Sequence, residues 1–162
     1  MFTAPRVVGA DSSACSFVVA WGSTEPKRGV TVERLQTELI TKGQPLPILN
    51  ESGRDLTTSA PVEALLIRIS GRIIGTAATD NWTYRTTLGG AVVPDQGAVV
   101  TPLHGTFYGT PPSGGEIYCP YHTVEYSPVF TTEAPFTSSY SLVLENPYGY
   151  WRTVSGDTIV KA

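Results

Sequence analysis

His104 and His122 are the two imidazoles of this 162-residue chain, and Cys15 and Cys119 are its two thiols. Imidazole or thiol chemistry must pass through these four side chains. Cys119 and His122 stand close enough in sequence to suggest a nucleophile–base pair, but no family signature surrounds them. His122 with Glu125 reads His-x-x-Glu. On a strand those two side chains point to opposite faces, so they do not make a metal pair. Zinc takes three or four His, Cys, Asp or Glu ligands, and the sequence does not gather them. No metal, cofactor or catalytic residue is expected on these grounds.

Oxygen nucleophiles fare no better. Gly-x-Ser-x-Gly is absent, and Ser113 lies in Pro-Pro-Ser-Gly-Gly, a loop composition rather than a strand-to-helix elbow. Asp11, Asp55, Asp80, Asp95 and Asp157 all sit in turn-like contexts, where aspartate bonds its own backbone. A hydrolase with a Ser/His/Asp group assembled by folding stays open as an alternative, with His104 or His122 as the base. Glycosidase-type carboxylate pairs have no visible signature, and no phosphate-cradling glycine loop occurs. Cys15 and Cys119 either pack as small buried hydrophobes, the preferred reading, or pair. A bridge over so long a loop would be worth up to ~4–5 kcal/mol in the chain-entropy picture. Two N-x-[ST] tripeptides occur, at Asn50 and Asn81, with no secretory leader in front of them.

Aromatic residues beside turn residues carry more information. Trp82, Tyr84, Tyr108, Tyr121 and Tyr148 are candidate ligand-binding positions. Tyrosine among Gly, Ser, Thr and Asn is the composition of adaptable binding loops, and an exposed ring can stack on a sugar. Trp21 and Trp151 are expected in the core.

These residues need a scaffold, and composition narrows it. Thr and Ser together number 34, Gly and Pro 29, and charged residues make up only 15 %, against roughly 25 % in an average soluble domain. The net charge is −3 with no basic block, which argues against nucleic-acid binding. No apolar run approaches the ~18 residues of a bilayer span, so no membrane insertion is expected. A hydrophobic content of 41 % argues against disorder. One domain over residues 1–162 is expected.

The run Cys15–Trp21 reads as a strand. Residues ~30–42 read as one amphipathic helix. Val32, Leu35 and Leu39 fall at i, i+3 and i+7, Glu33 and Lys42 match the helix dipole, and Gly43 and Pro45 end it. Residues 46–61 read as a loop. Glu63–Ile69, Trp82–Leu88, Ala91–Val93, Ala98–Val100, Thr106–Tyr108, Glu116–Tyr118, Thr123–Tyr126, Ser139–Leu144, Tyr150–Val154 and Thr158–Lys161 read as strands. About nine short strands with turns every ~8–12 residues predict a mainly β fold, an antiparallel sandwich or barrel.

A nearly all-β chain of few charges, many hydroxyls and tyrosine-rich loops resembles the protruding domain of a small non-enveloped RNA virus capsid protein, of sinaivirus-, nodavirus- or iflavirus-like type. The segments that carry this resemblance are residues 69–76 (Ile-Ser-Gly-Arg-Ile-Ile-Gly-Thr), Thr86–Gly90, and the loops at Pro111–Gly115 and Pro147–Gly149. The resemblance implies a dimeric or trimeric spike on the virion surface, outside the cell, that contacts a host receptor or glycan. A secreted or phage-derived carbohydrate-binding β domain is the alternative of a different class.

Overall fold

The structure is a computed structural model that describes residues 2–9, 12–21, 28–46, 58–93, 105–129 and 136–161. Among the described residues the fold is mainly β with one helix. Eleven strands, β1 (Thr3–Gly9), β2 (Ala14–Ser16), β3 (Val18–Val19), β4 (Gly29–Val32), β5 (Arg34–Leu46), β6 (Thr58–Ile74), β7 (Gly105–Thr110), β8 (Ile117–Val129), β9 (Thr137–Asn146), β10 (Tyr150–Thr153) and β11 (Ile159–Lys161), join one helix, α1 (Ala78–Val92).

The strands follow the order β2-β1-β7-β8-β9-β6-β4-β3. The two ends of this order are one piece of chain, because β2 and β3 are separated by Phe17 alone. On one edge β2 pairs antiparallel with β1, and the Phe17 N–H donates to the Pro5 carbonyl at 3.0 Å. On the other, β3 runs parallel to β4, and the Ala20 N–H donates to the Val32 carbonyl at 2.9 Å. Residues 14–20 thus act as the staple that curls the sheet into a nearly closed barrel. Closure removes edges that would otherwise offer unpaired N–H and C=O groups.

The helix expected at residues ~30–42 is a strand, and the strand expected at Trp82–Leu88 is a helix. Both corrections have a physical cause. The register breaks at Glu33, between β4 and β5, which shifts the inward phase by one residue. Val30, Val32 and Leu35 are therefore all buried, and the step from 32 to 35 imitates a helical one. Leu39, the third member of the supposed stripe, is 44 % exposed. Glu33, which suited a helix dipole, makes an ion pair with Arg72 instead, and Glu38 pairs with Arg68 across β5 and β6. The expected loop at 46–61 also yields in part, since β6 begins at Thr58 and pairs with β5 from Thr58 to Ser70. The two short strands expected at 116–118 and 123–126 are one strand, β8.

The helix packs against β1, β2, β4 and β6. Asn81, Leu88, Ala91 and Val92 face inward, and Leu88, Ala91 and Val92 join the hydrophobic core. Its C-terminal end is satisfied by side chains, while its N-cap residue, Ala77, makes no side-chain cap. At the N-terminus the Asp80 carboxylate accepts from both the N–H and the hydroxyl of Thr76, which holds its pKa below the ordinary carboxylate value. At the C-terminus Tyr121 donates to the Ala91 carbonyl at 2.9 Å and Thr123 to the Val92 carbonyl at 2.6 Å. These are carbonyls that a helix end leaves without an internal partner. The rest of the core is built from inward residues of β1, β4, β6, β7, β8 and β9, and Trp151 packs on Phe2 and Phe107 with ring centroids 5.4 and 5.8 Å away.

Candidate functional site

Three surface features of this barrel offer themselves for contact. The first is an arm. Strand β9 supports β6 only from Leu65, opposite Asn146, to Ile74. β5 and β6 nevertheless stay paired for seven further positions, from Ile40↔Ala64 to Leu46↔Thr58. At about 3.3 Å per residue this two-stranded ribbon reaches roughly 23 Å past the last β9 pairing. β5 pairs with β6 alone among the described residues, so its outer edge is open. The β9–β10 turn braces the root of the arm. Gly149 has φ +70°, and a Cβ placed on it would come within 2.8 Å of the Glu63 carbonyl oxygen.

The second is a row of arginines and tyrosines on the outer face. Register places Arg6 opposite Tyr108, Tyr108 opposite Tyr118, and Tyr118 opposite Arg152. The Arg6 guanidinium stacks 4.2 Å from the Tyr108 ring centroid and makes a forked pair with Glu116 at 2.9 and 3.2 Å. Tyr108 and Tyr118 lie 5.9 Å apart between centroids. Tyr118 donates to Asp157, which Arg152 also approaches at 3.4 Å. That hydrogen bond pushes the Tyr118 phenol up and the Asp157 carboxyl down from their ordinary values. Arg152 in turn lies 5.7 Å from the Tyr150 ring centroid, and Tyr150 is 6.1 Å from Tyr148. Each cation has a counter-charge within the row, so the face is polar and stiff without a strong field of either sign.

The third is a groove of about 460 Å³ between α1 and the start of β2, lined by Ser13, Ala14, Trp82, Thr83, Thr86, Thr87 and Gly90. Trp82 is 63 % exposed there.

The five aromatic positions singled out from sequence separate accordingly. Trp82 lies in the groove, Tyr108 in the Arg–Tyr row, and Tyr148 at its end, 54 % exposed. Tyr84 packs partly buried against the core, and Tyr121 is fully buried with its hydroxyl spent on the helix end. Arg6, Tyr118 and Arg152 were missed, since their partnership exists only in the cross-strand register. Trp151 is buried in the core and Trp21 packs against it, as expected.

Among the described residues the chemistry-bearing side chains do not converge. Cys15 and Cys119 are free and buried, and burial pushes the Cys15 thiol up to about 12 and the Cys119 thiol up as well. Both are thus held as thiols, the form that is neither nucleophile nor ligand. They occupy one register row, Cys15–Val7–Phe107–Cys119. Three strand spacings, about 14 Å, separate them, against a disulfide limit near ~7 Å between Cα atoms. His122 bonds Glu145 at 3.1 Å across β8 and β9. His104, Asn50 and the strand expected at Ala98–Val100 lie outside the described residues. Asn81, the other sequon, is buried inside the helix contact. Among the described residues no group of three or more His, Cys, Asp or Glu is placed to hold a metal.

No protein-family model matches the chain, and no curated protein sequence does. Among solved structures, the chain is similar to one from the tail of an empty gene transfer agent particle, determined by helical refinement with C6 symmetry. The TM-score is 0.39 at 15 % identity, over 76 % of this chain and 82 % of that one. A chain from the virion of the native gene transfer agent particle gives a TM-score of 0.37 at 13 % identity, over 80 % of this chain and 84 % of that one.

Proposed function

We propose that this chain is a structural subunit of a virus-type particle, held to neighbouring copies through the β5–β6 arm. The arm carries the reading. An isolated two-stranded ribbon is at best marginally stable in water, and seven residue pairs stand beyond the support of β9. Such a ribbon gains stability by lying on another surface. Pro45 and Pro61 lie within it, one on each strand. Each removes a backbone donor, which discourages open-ended strand addition and favours seating on a defined neighbour. In a closed symmetric assembly every arm meets the same surface of the next copy. Sparse charge suits this, because a charge repeated around a symmetry axis repels its own copies. A dimeric or trimeric spike of RNA-virus type, as the sequence resemblance implies, is one such assembly.

Contact with a host receptor or glycan at the particle's outer surface is the finer part of the proposal. Its support is the row Arg6–Tyr108–Tyr118–Arg152 with Tyr148, since Tyr and Arg are the residues on which contact energy concentrates.

The test is to replace residues 42–62 with Asn-Gly, a two-residue hairpin turn joining Thr41 to Glu63. Light scattering and negative-stain images of the full chain should show multimers, and the shortened chain should be a folded monomer by circular dichroism. A full chain that is monomeric at high concentration, or a shortened one that assembles equally well, overturns the proposal.

A further inference from the structure

We infer that the groove between α1 and the start of β2 is a binding site for a neutral carbohydrate. The inference deepens the attachment part of the reading above and is independent of the arm. Trp82, Thr83, Thr86, Thr87 and Gly90 fall on one face of α1 by helical spacing, and Ser13 and Ala14 form the opposite wall. The volume, about 460 Å³, is that of a small-ligand cleft.

The lining selects the ligand. The lining itself contains no charged residue, so it offers an anionic group no direct ion pair, and the neighbouring Arg85 guanidinium is turned onto the Trp82 ring. The threonine hydroxyls spend their protons on the helix. Thr83 donates to the Thr79 carbonyl, Thr86 to that of Trp82 and Thr87 to that of Thr83, each at 2.9 Å. What these oxygens keep toward the groove is acceptor capacity, in rotamers already fixed before any ligand arrives. A ligand dense in O–H donors satisfies such a row. An apolar ligand would strand it. Trp82 adds a broad apolar ring, with the Arg85 guanidinium 5.2 Å from the ring centroid steadying its orientation. A sugar carries both complements at once, C–H groups for the indole and hydroxyls for the threonines. At Gly90 a Cβ would only reach ordinary contact, 3.7 Å from the Ser13 hydroxyl oxygen, so it takes a larger side chain to fill the groove.

The experiment titrates the full chain with neutral oligosaccharides of glucose, galactose and N-acetylglucosamine, with sialyllactose as the anionic control, read by ligand-observed NMR. Saturable binding to at least one neutral oligosaccharide is expected, with sialyllactose no tighter. Trp82→Ala should weaken it by at least about tenfold, Trp82→Phe by less, because a ring remains to stack. Gly90→Leu should block the groove without removing any contact, while Gly89→Ala, whose Cβ meets nothing within 4 Å, should leave binding intact. Circular dichroism confirms that each variant is folded. No saturable binding to any neutral oligosaccharide overturns the inference, and so does binding that survives both Trp82→Ala and Gly90→Leu. Loss of multimers in Trp82→Ala, with no sugar bound by the parent chain, assigns the groove to a second copy instead.

Discussion

At the scale of single residues, the fold leans on positions whose sequence signature is slight. Gly71 sits where β6 crosses β4, and a Cβ built on it would lie 2.0 Å from the Thr31 carbonyl oxygen. No side-chain rotation relieves a clash with backbone. Gly71→Ala should therefore cost at least the ~1–3 kcal/mol of core overpacking, read as a lower urea midpoint with an unchanged slope. Asn81 is the second such position. It is 4 % exposed, its amide donates to the Phe136 carbonyl at 3.1 Å, and its carbonyl oxygen accepts from Ser138 at 3.3 Å. Asn81→Ala removes the amide's hydrogen bonds to the Phe136 carbonyl and from the Ser138 hydroxyl, and a loss of about 1–2 kcal/mol is expected by the same measurement. In the sequence, Gly71 reads as a strand break and Asn81 as the start of a sequon. Neither reading reveals the backbone or hydroxyl that each one meets, because those partners come from β4 and β9.

At the scale of elements, legibility follows how far each element's determinants lie along the chain. The turn at Pro111–Gly115 and the strands β7 and β9 were readable from local composition. The helix was not. Its inward positions, Asn81, Tyr84, Leu88, Ala91 and Val92, keep a helical period, but a polar residue heads the row and Gly89-Gly90 interrupts it. Its threonines are poor helix formers in isolation. What holds it is tertiary, namely the bonds of Asn81 and the two hydroxyls of β8 that take its last free carbonyls. β5 failed in the opposite sense, since a one-residue phase shift at Glu33 copied a helical stripe that its partner strand β6 then overruled. A helix so dependent on context leaves room for improvement. Gly89 lies in α1 with open space where a Cβ would go. Gly89→Ala should raise stability by about 0.5–1 kcal/mol through the unfolded chain's lost freedom, seen as a higher melting temperature.

At the scale of the whole molecule, the barrel brings far-apart residues into one dry interior, and this makes its stability depend on alkaline pH. Cys15 on the closing strand, Cys119 on β8 and Tyr140 on β9 are all buried. Burial raises the pKa of each, Cys15 from 9.0 to about 12 and Tyr140 upward from 10.0. Above pH 9.0 the unfolded chain releases its thiol protons while the folded chain keeps them. The folded state then binds more protons than the unfolded one, so stability falls as pH rises. Each thiol's slope rises from about 0.7 kcal/mol per pH unit at pH 9.0, where the unfolded thiol is half ionised, toward about 1.4 above it. Between pH 9.0 and 10.0 the pair should lower the unfolding free energy by about 2 kcal/mol. Above 10.0 Tyr140 adds to the slope. Urea titrations at neutral pH, pH 9.0 and pH 10.0 read this directly. The variant carrying Cys15→Ala and Cys119→Ala should start less stable, because two small cavities replace sulfur, yet lose little over the same interval. A parent chain as flat as that variant would mean that the two thiols meet water in the folded state. Treatment with a thiol oxidant should leave the monomer's unfolding curve unchanged near neutral pH, since two intervening strands keep the sulfurs of Cys15 and Cys119 beyond bonding reach.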